Sequence, residues 1–125
     1  CEQVLTGHTS AVRSVAGVDA QTIISGSRDG TVRVWVKGDD GEFACEHVLT
    51  GHTVWVLSVA VLDAGTIISG GEDRTVRVWV KGVDGVWACA QVLTGHTWGV
   101  NSVAVLDART IISGSHDRTV RVWEL

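Results

Sequence analysis

Along the chain, short apolar runs alternate with tight polar turns, and the spacing inside each run is two. Val12 to Val18 is apolar or small on both alternating faces, Thr22-Ile23-Ile24-Ser25 is a brief β-branched run, and Thr31 to Val36 alternates Val with polar residues. This period predicts strands, and the first, apolar on both sides, is expected to be the innermost of its sheet. Asp19-Ala20-Gln21 and Gly26 to Gly30 supply the turns between the three. A Gly- and Asp-rich loop, Lys37 to Gly41, then leads to Cys45 to Thr50, a fourth strand folded back on the third as a hairpin.

The unit recurs. His8, Asp29 and Trp35 return as His52, Asp73 and Trp79 and again as His96, Asp117 and Trp123, with a period of 44 residues. A fixed period of this length marks an array in which each unit packs only on its neighbours. The repeats are 1–44, 45–88 and 89–125. Cys1 to Thr6 opens the first with an outer-strand run, and the third stops just past its third strand, at Trp123-Glu124-Leu125.

Composition supports an all-β fold, because β-branched residues dominate the patterned segments, fifteen Gly punctuate them, and Pro, Met and Tyr are absent. A net charge of -4 without a basic run disfavours nucleic acid and anionic membranes as partners. No apolar segment reaches the length of a bilayer-crossing helix and the first residues lack a leader pattern, so a cytoplasmic location is expected. Cys1, Cys45 and Cys89 occupy one place in successive copies, too far apart to bridge, and no Cys-x-x-Cys or His-x-x-x-His spacing occurs. Neither a metal nor another cofactor is expected.

Gly7-His8, Ser25-Gly26-Ser27-Arg28-Asp29 and Thr31-Val32-Arg33-Val34-Trp35, three times in register over the whole chain, resemble the tryptophan-aspartate (WD) repeat family of β-propellers. Three departures leave the strand pattern intact. Val36, Val80 or Glu124 follows the Trp where the family usually has Asp, Asp-Ala-Gln and its variants replace Pro-Asp-Gly, and Gly71 replaces one Ser. The resemblance implies a β-propeller of four-stranded antiparallel blades, three per chain, with residues 1–6 serving as the outer strand of a closing blade. Bare end faces of roughly 500 Å² would each forfeit about 12 kcal/mol at about 25 cal/mol per Å², comparable to the stability of a domain. A ring closed by homo-oligomerisation is therefore expected, residues 1–6 of one copy completing the last blade of the next. Nine blades as a trimer are preferred and six as a dimer are the alternative; a piece of a longer array is a further possibility.

His8, Ser25 and Asp29 carry the residue types of a nucleophilic hydrolase. The same set stands in every copy, as His52, Ser69 and Asp73 and as His96, Ser113 and Asp117, and no Gly-x-Ser-x-Gly elbow accompanies it. No enzyme is expected. The resemblance implies a structural hydrogen-bond chain through these residues, with the indoles of Trp35, Trp79 and Trp123 donating inward. Ser27 is the alternative to Ser25 for the hydroxyl, and the Ser25 set is chosen because Gly71 stands at the Ser27 position of the second copy.

Side by side, the copies differ chiefly in two places. At the start of the inner strand the first has Ser10, Ala11 and Arg13, the second Val54, Trp55 and Leu57, the third Trp98, Gly99 and Asn101. Just before the turn Asp stand Arg28, Glu72 and His116. The hydrogen-bond chain would gather these sites at one end of the ring, which the resemblance implies is a docking surface. Large apolar groups there suit recognition of a protein or peptide partner, and the competing role for Trp55 and Trp98 is a staple against a neighbouring blade. Phe43 and Trp87 are expected to cap the outer edge, and Arg33, Arg77 and Arg121 to pair blade with blade. The expected function is a non-enzymatic interaction scaffold; the alternative is an idealised or excised repeat fragment that only self-assembles. Sugar binding between blades, a third reading, lacks a clear polar set.

Overall fold

The computed structural model describes residues 3–125, so Cys1 and Glu2, the start of the expected outer strand, lie outside the described residues. Eleven strands follow in chain order and form three antiparallel sheets. The first sheet is β1 (Val12–Asp19), β2 (Thr22–Ser27), β3 (Thr31–Lys37) and β4 (Phe43–Thr50). The second repeats it with β5 (Val56–Asp63), β6 (Thr66–Gly71), β7 (Val76–Lys81) and β8 (Trp87–Leu93). The third has β9 (Val100–Asp107), β10 (Thr110–Ser115) and β11 (Val120–Glu124), and ends at β11. Within each sheet neighbours in sequence are neighbours in space, as short hairpin connections require.

Side-chain chemistry sets the turns. Asp19, Asp63 and Asp107 accept the N–H two residues on through Oδ1, so Asp alone closes the inner hairpin without the family's proline. At the outer hairpin Asp40 and Asp84 do the same. The turn between the second and third strands demands a left-handed residue, filled by Gly30 (φ +85°) in the first sheet but by Arg74 (φ 72°) and Arg118 (φ 71°) in the others.

The sheets fan like blades. β5 packs against both β1 and β9, whereas the outer strands β4 and β8 scarcely meet, so the inner strands gather towards one axis. Between the first two blades Ile24, Val32, Val34 and Leu49 pack on Val56, Val59, Ile67, Trp79 and Trp87. Between the second and third, Ile68, Val76 and Val78 pack on Val100, Val103 and Ile111. Small residues admit this contact: a Cβ at Gly26 would lie 2.7 Å from Val56, and one at Gly70 2.7 Å from Val100. A polar clasp recurs beside it, the N–H of Val59 donating to Ser14 Oγ and that of Val103 to Ser58 Oγ, each at 3.2 Å.

Two expectations are corrected by this packing. Trp87 does not cap an edge, because it is buried in the seam with Trp79. Arg33 and Arg77 reach Cys45 and Cys89 on the adjacent strand of their own sheets, at 3.5 and 3.8 Å, so they tie within a blade instead of between blades. Residues 3–6 form no ladder in the chain; instead the Gln3 amide donates to Phe43 O and accepts from Phe43 N. The partner expected for residues 1–6 is the edge of β11 in a neighbouring copy.

Candidate functional site

Each blade holds one buried polar chain. An indole N–H only donates and a carboxylate only accepts, so the polarity between them is determined. In the first blade Trp35 Nε1–H donates to Ser25 Oγ (2.8 Å), the Ser25 hydroxyl donates to His8 Nε2 (2.7 Å), and His8 Nδ1–H donates to Asp29 Oδ2 (2.8 Å). Trp79, Ser69, His52 and Asp73 repeat it, as do Trp123, Ser113, His96 and Asp117. Ser25 and its counterparts are therefore the members. Ser27 and Ser115 do a separate job: each hydroxyl donates to the carbonyl of Ser10 or Trp98 and accepts the N–H of the turn Asp.

The carboxylates are held ionised. Burial opposes the charge of Asp29, but hydrogen bonds from the Thr31 hydroxyl, the His8 ring and the N–H groups of Thr31 and Thr9 outweigh it and keep the carboxyl well below its ordinary range. For Asp73, burial is likewise outweighed, by His52 and Thr75. For Asp117, it is outweighed by Thr119, His96 and the Thr97 N–H.

The order Ser, His, Asp is that of a hydrolase, yet the chemistry differs. Each Ser Oγ also accepts an indole N–H, which engages one of its lone pairs, and Ser69 and Ser113 are only 0% and 2% exposed, closed to a substrate carbonyl. Among the described residues no group of three His, Cys, Asp or Glu side chains stands close enough to hold a metal ion.

The variable positions lie beside this chain at one end of the blades. The N–H of Arg28 donates to Ala11 O and that of Glu72 to Trp55 O, joining the two variable places within the first and second blades. Across the seams the same positions meet again. Arg28 stacks over the Trp55 ring at 4.2 Å, and a Cβ at Gly99 would lie 2.9 Å from Glu72 Oε2.

The WD domain, G-beta repeat family model matches residues 1–36, 43–80 and 87–124. The chain belongs to the WD-repeat family. Over 38 residues, 30% of this chain, it is 60% identical to Cell division control protein 4 of Candida albicans, of which it covers 5%. It superposes on the crystal structure of the WD40 β-propeller domain of Doa1 with a TM-score of 0.81 at 33% identity, over 96% of this chain and 39% of that one. It thus spans a minor part of each. WD propellers generally serve as non-enzymatic interaction modules, and the three WD blades described above have that architecture.

Two of the variable residues are not on the displayed rim. Leu57 is buried. It is the extra residue of a β-bulge between Val56 and Ser58, the place that Arg13 and Asn101 hold in the other blades, and it is buried because the middle blade is packed on both sides. Gly99 is buried beneath Glu72. Ser10, Ala11, Arg13, Val54, Trp55, Glu72, Trp98, Asn101 and His116 are exposed, and Arg28 is half-buried against Trp55. Sequence variation flagged all of these alike, because variation marks freedom from the blade's own pattern without separating solvent from seam.

Proposed function

We propose that the chain is a non-enzymatic scaffold that binds a protein or peptide at this rim, in the cytoplasm. The observation that carries the reading is Trp98: it is 62% exposed while its backbone carbonyl is held by the Ser115 hydroxyl at 3.1 Å. A large aromatic group on a pinned backbone, displayed to solvent, is the anchor type that interfaces use. Val54 holds the equivalent place in the second blade and is also exposed, with His116 and Glu72 adding charge and hydrogen-bonding choice.

Head-to-tail copies would complete the ring, as nine blades in a trimer or six in a dimer, residues 1–6 adding the outer strand that the third sheet lacks within this chain. The second reading, self-assembly without a partner, is separated by quantitative affinity capture from cell extract. Trp98→Ser is expected to lose a protein that the unaltered chain and a Val83→Ser control both retain, since Val83 lies exposed in the outer hairpin loop. Equal capture by all three would reject the rim as the docking surface.

A further inference from the structure

Two seams are filled within the chain and two faces stand open, and the open faces match the halves of a filled seam. Val56 and Val59 in the first seam and Val100 and Val103 in the second are at most 6% exposed, whereas their counterparts on the first blade, Val12 and Val15, are 51% and 70% exposed. On the opposing side Val32, Val34, Val76 and Val78 are at most 3% exposed, whereas Val120 and Val122 on the third blade are 73% and 64% exposed. The recess is empty too. Gly26 and Gly70 lie under a Val of the next blade, but nothing lies within 4 Å of where a Cβ on Gly114 would be. Ser102 stands on that face at the position from which Ser14 and Ser58 clasp the following blade.

We propose that a second copy of this chain occupies the open face, its Val12 seated over Gly114, its Val15 N–H donating to Ser102 Oγ, and its first blade covering Val120 and Val122. This rests on the head-to-tail reading above and assigns the contact to blade faces, with the residue 1–6 edge secondary. A copy of the chain is the occupant, and not an unrelated protein, because knob, recess and hydroxyl recur at registers the chain already uses twice on itself. Exposed Val clusters on both faces also match in chemistry, apolar on apolar.

The test is the mass in solution of the 125-residue chain, by light scattering over a range of micromolar concentrations, with Gly114→Val and Val15→Asp beside it. The expected mass is two or three times 13.3 kDa for the unaltered chain and 13.3 kDa for each variant. Both substitutions fall on open positions, so the variants are expected to keep a cooperative unfolding transition. Amide exchange of the unaltered chain gives an independent measure: Val15 N–H is expected to slow with concentration while Val59 and Val103 stay unchanged. A monomeric unaltered chain would overturn both this seam and the head-to-tail reading. Assembly that survives in both folded variants, with Val15 exchange indifferent to concentration, would overturn the seam alone and leave pairing through residues 1–6 standing.

Discussion

The guanidinium of Arg28, on the turn of the first blade, lies 4.2 Å from the centre of the Trp55 ring, at the start of the second. At the next seam the same two positions hold Glu72 and Gly99, and a carboxylate replaces the cation over a residue with no side chain. Variable positions are therefore paired across seams. Such a cation–π contact at a partly exposed site contributes about 0.5–1 kcal/mol. A double-mutant cycle of Arg28→Ala and Trp55→Ala, read from urea unfolding at fixed protein concentration, is expected to show a coupling of that size. Trp98→Ser, which removes no such contact, is expected to leave stability within about 0.5 kcal/mol of the original.

The buried polar chain predicts a larger effect. Ser69→Ala leaves Trp79 Nε1–H and His52 Nε2 without partners at a buried site, and each orphaned group costs about 1–3 kcal/mol. The expected result is a fall in unfolding free energy of about 2–4 kcal/mol with no change in ester hydrolysis above the buffer rate. Hydrolysis that disappears with Ser69→Ala would reverse the structural reading.

Acid should weaken the fold through the same residues. Asp29, Asp73 and Asp117 titrate lower when folded than when unfolded, so their stabilising contribution is complete above the ordinary carboxylate value of about 4 and is lost as pH falls from there towards the folded values. The urea midpoint is expected to hold steady between pH 7 and pH 5, roughly, and to drop below about pH 4. Asp73→Asn should start lower and decline less steeply. A midpoint unchanged down to about pH 2.5 would contradict the assignment.

Backbone strain offers a stabilising change. Arg74 and Arg118 occupy the left-handed region that Gly30 fills in the first blade. Arg74→Gly or Arg118→Gly is expected to raise stability by about 0.5–1 kcal/mol, relief of strain exceeding the added entropy of the unfolded chain. The converse, Gly30→Arg, places a Cβ 3.2 Å from Val54 O as well as in the strained region, so a loss of about 1 kcal/mol or more is expected in thermal or urea melts.

Legibility tracked locality. The strands from Val12 to Thr50, their hairpin turns and their second and third copies were readable because a period of two and turn residues act over a few positions. The His8, Ser25, Asp29 and Trp35 set stood out because three copies held those types at one spacing, and the resemblance to the WD family implied how they bond. Trp87 was misread as an edge cap since the cluster that buries it includes residues of the preceding blade such as Val34 and Leu49. Leu57 was misread as displayed because its burial comes from the blades on both sides of the middle one, while Arg13 and Asn101 hold the same bulge position on the end blades and stay exposed.

The amino-acid sequence by itself determined the strand order and turn chemistry of the blade, and its resemblance to the WD family supplied the polar chain that ties Trp to Asp. Only the tertiary structure decided what lies between blades and which variable residues face water and which face a neighbour. The reason is physical. Hydrogen-bond ladders and turns are set by residues a few positions apart, whereas burial across a seam depends on both blades at once, and a residue such as Val12 or Val56 has the same identity whether or not its partner face is present.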